Sequence, residues 1–324
     1  MGGFRRNQER IRMGKKNIRF IDLFCGIGGF RYAAGQACES LGAESEFVLS
    51  SDINKFSCQA YGANFGEYPQ GDVSKIPVEE IPDFDVLLGG FPCQPFSKAG
   101  LQRGFDDTRG TLFFEIAKIL SEKKPDAFVL ENVKGLINHD KGKTLETILT
   151  TLKDLGYFVH YKVLDALDFG LPQHRERIFI VGFKDDRPFE FPEGNVPMKP
   201  LSEVLETEVP EKYFISDYLK SRVYTRDTAT VSEPCIWTKI EFEHDHAYRV
   251  KPYSSTLTTS GPSSTHLVNG ERRLTPRERL RLQGFPEDFK IVCSDSQTQK
   301  QAGNSLPVPV AKAVIEKVVK ELTK

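Results

Sequence analysis

Short apolar runs alternate with amphipathic segments from residue 18 to residue 182. The runs at 18–24, 47–50, 86–89, 127–131, 159–164 and 178–183 predict strands, and the segments at 30–41, 55–64, 112–123 and 143–155 predict helices. Glycines and prolines punctuate the joints. Strand and helix in alternation are the mark of βαβ units, so the expected fold class is α/β with a doubly wound, mostly parallel sheet. After residue 189 the pattern changes. Residues 192–271 carry scattered Pro, Ser, Thr and Gly with short β-prone pieces at 235–239 and 255–259, which reads as a smaller, loop-rich unit. Helical periodicity returns at 276–283. In the closing segment Val308, Ala311, Val314, Ile315, Val318, Val319 and Leu322 mark one helix face, suited to docking on the first unit's sheet. The expected organisation is a basic tail at 1–16, a large domain at 17–192 completed by 272–324, and a small domain at 193–271.

Composition narrows the class. Apolar residues make up 39% and charged residues 27%, ordinary for a globular protein with a sizeable core. No run reaches the length of a membrane span, and the first residues are basic without an apolar stretch, so a cytoplasmic protein is expected. A formal net charge of -1 argues against a globally basic nucleic-acid coat. Local stripes at 5–16 and at Arg272, Arg273, Arg277, Arg279 and Arg281 would still suffice to bind phosphates, although a solvated tail and helix face read the same way. The six cysteines include no Cys-x-x-Cys pair, which suggests neither a disulfide framework nor a zinc site. His244 and His246 lack nearby partners and read as a surface turn, so no metal is expected. A cysteine that matters here is then a nucleophile.

Two places carry candidate chemistry. The first strand runs into Phe24-Cys25-Gly26-Ile27-Gly28-Gly29 and then a helix. Glycines there let the backbone turn tightly and approach a ligand, and Asp52, at the end of the second strand, stands where an acid accepts ribose hydroxyls. Asp72 follows in the loop before the third strand. Nicotinamide and flavin enzymes share such a pair, but no glycine stands three residues after Gly28, so a nucleoside site without phosphates is favoured over a pyrophosphate cradle. The second place is Gly89-Gly90-Phe91-Pro92-Cys93-Gln94-Pro95, where a cysteine between prolines sits just past a strand, at the ligand-binding edge of the sheet.

With these motifs the chain resembles the cytosine-5 DNA methyltransferase family of bacterial restriction–modification systems. The resemblance rests on Asp22-Leu23-Phe24-Cys25-Gly26-Ile27-Gly28-Gly29 and Pro92-Cys93-Gln94, followed in the family's order by Glu131-Asn132-Val133 and Gln173-His174-Arg175-Glu176-Arg177. Arg273-Leu274-Thr275-Pro276-Arg277-Glu278 and Gln301-Ala302-Gly303-Asn304-Ser305 complete it, so it spans 18–192 and 272–324. It implies the class I, Rossmann-like fold of S-adenosylmethionine-dependent methyltransferases, with S-adenosylmethionine as cofactor and S-adenosylhomocysteine as product. Cys93 would be the nucleophile that adds to carbon 6 of cytosine, making carbon 5 enamine-like. Glu131 would hold and protonate nitrogen 3, with a pKa raised in a closed site. Arg177 would contact the base carbonyl, and Arg175 would support the cysteine and the target.

The resemblance assigns Phe24 to pack on adenine, Asp52 to the ribose, Asp72 to the adenine amino group and Asn304-Ser305 to the methionine end. Gly26, Gly28, Gly29, Val73, Pro92 and Leu112 join that pocket. Ile53 departs from the pattern, because many family members carry an aromatic residue there; it offers apolar contact without stacking. Residues 98–109, directly after the nucleophile, resemble the loop that closes on DNA around an extruded base, with Gln94, Ser97 and Arg109 as contacts. The small domain takes the place of the target-recognition domain, where Ser255, Thr256, Thr258 and Ser260 are nominated to face DNA. The partner is double-stranded DNA, with a cognate restriction endonuclease acting on the same site, and the protein is expected to be a monomer. An RNA cytosine methyltransferase of the same family and a catalytically inactive DNA-binding protein are the alternatives.

Overall fold

A computed structural model describes residues 16–92, 112–225, 231–240, 247–259 and 265–324. Its larger sheet has six strands in the order β2-β1-β3-β4-β6-β5. They are β1 (Asn17–Leu23), β2 (Glu44–Ser51), β3 (Val86–Gly90), β4 (Ala127–Val133), β5 (Phe158–Asp165) and β6 (Glu176–Phe183). The first four are mutually parallel, whereas β6 runs antiparallel between β4 and β5. Side chains alternate across the pleat. Ile18, Phe20, Val86, Leu88, Val129 and Val181 enter one core layer, and Ile21, Leu23, Leu87, Phe128, Leu130 and Ile180 enter the opposite one.

Helices cover both faces. On the first lie α1 (Gly29–Ser40) and α8 (Val308–Leu322), whose seven expected apolar positions are all buried. On the second lie α3 (Leu112–Lys123) and α4 (Lys143–Asp154). Between β2 and the turns that lead to β3, α2 (Lys55–Phe65) starts where the Asn54 side chain accepts from the amides of Phe56 and Ser57, and it stops at Gly66 in the left-handed region. At the chain's first described residue, the Lys16 ammonium meets the carbonyl of Leu322.

The small sheet has the order β11-β10-β8-β9-β7, with β7 (Tyr224–Thr225), β8 (Ile236–Lys239), β9 (Ala247–Lys251), β10 (His266–Val268) and β11 (Arg272–Arg273). The short helix α5 (Asp217–Lys220) precedes it. β11 lies just past the expected limit at 271. The return to the large unit is α6 (Pro276–Leu282), opened by a reciprocal cap between Thr275 and Glu278, and then α7 (Asp295–Asn304). The β-prone piece at 255–259 is not a strand of this sheet. Its neighbour Ser254 pairs instead with the large unit, donating to the Pro172 carbonyl at 2.8 Å and accepting from the His174 amide at 2.8 Å.

Candidate active site

The carboxyl ends of β1, β3 and β4 meet at one edge, where the strand order reverses between β1 and β3; open α/β sheets bind ligands there. After β1 the chain bends at Phe24, whose φ of 57° is rare for an aromatic residue. Strain of this kind costs about 1–3 kcal/mol and persists only where the surroundings impose it. Here they do: the Cys25 amide donates to the Ser51 carbonyl at 3.0 Å and the Gly28 amide to the Cys25 carbonyl at 2.8 Å. Asp52, just past β2, accepts from the Gly26 amide at 2.8 Å and from the Asn54 amide at 2.7 Å. Burial raises its pKa, against the pull of those amides.

A cavity of about 870 Å³ opens above this turn. Phe24, Gly26, Gly29, Asp52, Ile53, Asp72, Val73, Pro92, Leu112, Asn304 and Ser305 all border it, so eleven of the twelve expected cofactor residues come together. Gly28 is the exception: it lies off the wall, and a Cβ there would come within 2.2 Å of the Phe65 ring. Its glycine serves helix packing rather than ligand contact. Gly29 approaches closely too, since a Cβ would stand 3.1 Å from the Ser305 hydroxyl. Ile53 sits on the rim, 77% exposed. Asp72 caps the turn Val73–Lys75 by accepting from the Ser74 hydroxyl at 2.7 Å and amide at 3.1 Å, and the hydroxyl contact is the main cause of its lowered pKa.

The same cavity is bordered by Glu131, Arg175 and Arg177. Because β6 is reversed, its first residues stand beside the last residues of β4, with Val133 opposite Arg177. Glu131 meets the Arg177 Nε at 3.0 Å, their side chains 13% and 10% exposed. Burial pushes the Glu131 carboxyl up, and the charges of Arg177 and Arg175 offset part of that rise. Burial likewise lowers the Arg177 pKa, opposed by Glu131. Asn132 donates to the Phe91 carbonyl at 2.8 Å and so fixes the backbone leading into Pro92.

Arg175 is the more deeply buried of the two arginines. It is 1% exposed, and its guanidinium donates to the carbonyls of Leu257 at 3.1 Å, Gly303 at 2.8 Å and Ser305 at 2.5 Å. Burial, with the repulsion of Arg177, lowers its pKa to about 9. Its two Nη groups tie the Leu257 segment to the 303–305 turn, while its buried Nε has no hydrogen-bond partner among the described residues. Two of the nominated DNA-facing hydroxyls are also engaged by protein. Ser255 pairs with the His266 Nε2 at 2.9 Å and donates to the Thr238 hydroxyl at 3.2 Å, and Thr256 donates to the His174 carbonyl at 2.9 Å. Thr258 is half-buried, its backbone against Gly303. Cys93, Gln94, Ser97, Arg109 and Ser260 lie outside the described residues, as do His244 and His246.

A model of the family described as C-5 cytosine-specific DNA methylase matches residues 18–320. This chain belongs to the cytosine-5 DNA methylases. Among its relatives, the type II methyltransferase M.NgoBI of Neisseria gonorrhoeae is 51% identical over 298 residues, covering 90% of each chain. M.HaeII of Haemophilus aegyptius is 48% identical over 309 residues, covering 95% of this chain and 94% of that protein. In fold the methylase is similar to a methyltransferase of Entamoeba histolytica, with a TM-score of 0.73 at 19% identity over 96% of this chain and all of that one. A DNA cytosine-5 methyltransferase on the class I fold uses S-adenosylmethionine, as the family does generally. No helix among the methylase's described residues is long and apolar enough to cross a membrane.

Several contributors escaped the sequence reading. Asp22, in the first motif but given no role, is fully buried, both carboxylate oxygens lack a hydrogen-bond partner among the described residues, and burial raises its pKa well above the usual range. Gln173 and Gln283 are completely buried behind Arg175. Gln173 stood in a quoted motif; nothing in the local pattern distinguished Gln283.

Proposed function

We propose that this methylase modifies cytosine within a short, specific duplex sequence, on a base turned out of the helix, with Cys93 as nucleophile. The observation that carries the reading is the buried Glu131–Arg177 pair on the wall of the cavity that also holds the Phe24–Gly29 turn. A cavity floored by glycines and flanked by Asp52 and Asp72 fits a nucleoside cofactor: Gly26 leaves open space where a Cβ would stand, and each carboxylate keeps lone pairs beyond those its amide and hydroxyl donors use. When bound, S-adenosylmethionine supplies the electrophilic methyl group.

The protein's own residues do the rest. The Cys93 thiolate adds to carbon 6, and the electron pair displaced from the ring's 5,6 double bond makes carbon 5 nucleophilic. Charge delivered into the ring is met at nitrogen 3 by Glu131, which burial keeps protonated to higher pH than a free carboxyl. Arg177, held by Glu131, presents its planar fork to the ring carbonyl. Loss of the carbon 5 proton to a base then expels the thiolate and restores the aromatic ring. Arg175 acts at one remove, by holding the Ser305 turn. Phe24 offers its ring to adenine, Asp52 accepts from the ribose, Asp72 from the adenine amino group, and Asn304 with Ser305 closes the methionine end. Residues 17–192 with 272–324 form the catalytic domain and 193–271 the recognition domain. The protein works as a cytoplasmic monomer beside an endonuclease of the same specificity.

The test is covalent trapping. Duplex DNA carrying 5-fluorocytosine cannot complete the final elimination, so the wild-type protein should form an adduct that survives denaturation, while Cys93→Ser should form none and still bind S-adenosylhomocysteine. Methylation of transfer RNA but not of duplex DNA would move the substrate to RNA, and full turnover by Cys93→Ser would end the mechanism.

A further inference from the structure

Behind the cavity wall runs a chain of buried amides. The Leu257 amide donates to the Gln173 Oε1 at 3.1 Å. The Gln173 Nε2 donates to the Leu282 carbonyl at 2.8 Å and to the Gln283 Oε1 at 3.3 Å. The Gln283 Nε2 then donates to the carbonyls of Ala302 at 2.5 Å and Ser305 at 3.5 Å. Apart from the branch to Leu282, the links point the same way, from the segment expected to face DNA towards the turn that borders the cofactor cavity. Arg175 closes the circuit by gripping the carbonyls of Leu257 and Ser305 together. Both glutamines are 0% exposed, so water cannot replace a lost partner.

We propose that Gln173 and Gln283 are positioning residues that fix the cofactor turn at 302–305 against the recognition segment at 254–258, so that cofactor and DNA are held by one shared brace. The inference rests on the function proposed above. Neither side chain borders the cavity, and both are fully buried. Fixing both segments to a single hydrogen-bonded chain means that loosening either end loosens the other. A residue that only filled the core would not link the two ligands in this way.

The experiment uses Gln173→Met and Gln283→Met, which keep side-chain length and remove every hydrogen bond. Steady-state and single-turnover methylation of unmodified genomic DNA is followed with thermal unfolding and with S-adenosylhomocysteine binding, with and without DNA. Each variant should raise the KM for S-adenosylmethionine and the KM for DNA together, by about tenfold, with kcat within about threefold of wild type. Gln173→Asn keeps both amide functions on a stem one carbon shorter, so its hydrogen bonds lengthen instead of vanishing. It should shift both constants in the same direction by less, and it serves where a methionine variant does not fold. A fall in melting temperature with both KM values unchanged, or movement of one KM alone, would overturn the shared brace. Failure of the wild-type protein to bind S-adenosylhomocysteine or to methylate DNA would instead overturn the proposed function.

Discussion

Gly303→Ala isolates the contact between the recognition segment and the cofactor turn. Gly303 is the penultimate residue of α7, and alanine there should gain about 0.5–1 kcal/mol from reduced backbone freedom in the unfolded chain. The packing opposes this. A Cβ would lie 2.6 Å from the Thr258 carbonyl carbon, 2.7 Å from its oxygen and 2.8 Å from the Thr259 amide nitrogen. All three are backbone atoms, so relief requires moving the segment itself, and overpacking of this kind costs about 1–3 kcal/mol. The second effect wins, leaving a net loss of up to about 2.5 kcal/mol. In thermal unfolding this is a drop of a few degrees, since in a chain of this size each kcal/mol is worth about 2–4 °C at most. Activity should suffer more than stability, because the displaced atoms join the two ligand-binding segments. The assay pairs a melting curve with the KM for S-adenosylmethionine. A melting temperature at or above wild type with normal kinetics would show that the segment yields freely, and the reasoning would fail.

Other expected outcomes test other parts. Arg272 grips Glu278 through two bonds of 2.8 and 2.9 Å, with Glu278 fully buried. Arg272→Leu should cost about 3–5 kcal/mol in urea unfolding by stranding that carboxylate, and adding Glu278→Leu should recover part of the loss. Asp52→Ala frees the Gly26 and Asn54 amides and should weaken S-adenosylhomocysteine binding at least about tenfold by calorimetry; unchanged affinity would remove Asp52 from the site. The Glu131 carboxyl, followed as the infrared band lost in Glu131→Gln, should titrate above the ordinary 4.5, and higher still in Arg177→Met, which removes an offsetting cation. The sign follows from burial. The protonated form suits the fold, so Glu131's contribution to stability is full below the ordinary range and fades as pH rises through the raised value. Titration at or below 4.5 would mean that the arginines dominate.

The sheet was legible because its central strands are short apolar runs between turn residues, whereas the edge strands β2 and β5 carry polar residues along much of their length. α8 announced itself through the spacing of Val308, Ala311, Val314 and Val318. α7 did not, because Asp295–Asn304 is polar almost throughout and presents no stripe; only Ser294 at its cap gives a local signal. The cavity wall was readable where chemistry and turn geometry coincide, as at Phe24–Gly29 and Asp52. Arg175 was placed by its motif but not its partners, since its three acceptors are main-chain carbonyls on segments distant in sequence. The nominated hydroxyls of Ser255 and Thr256 turned out to bind His266, Thr238 and the His174 carbonyl for the same reason: composition marks a side chain as polar without saying which polar group it meets.

The meeting of Lys16 with the end of α8 has a bearing on engineering. Lys16 and Leu322 are neighbours in space, so with residues 1–15 removed a short peptide could join the start of β1 to the end of α8, and an exposed loop elsewhere could supply new ends. A circularly permuted protein of that kind would carry its motifs in a rotated order around an unchanged core. Retained activity in such a protein would show that the architecture accepts more than one linear order of its motifs.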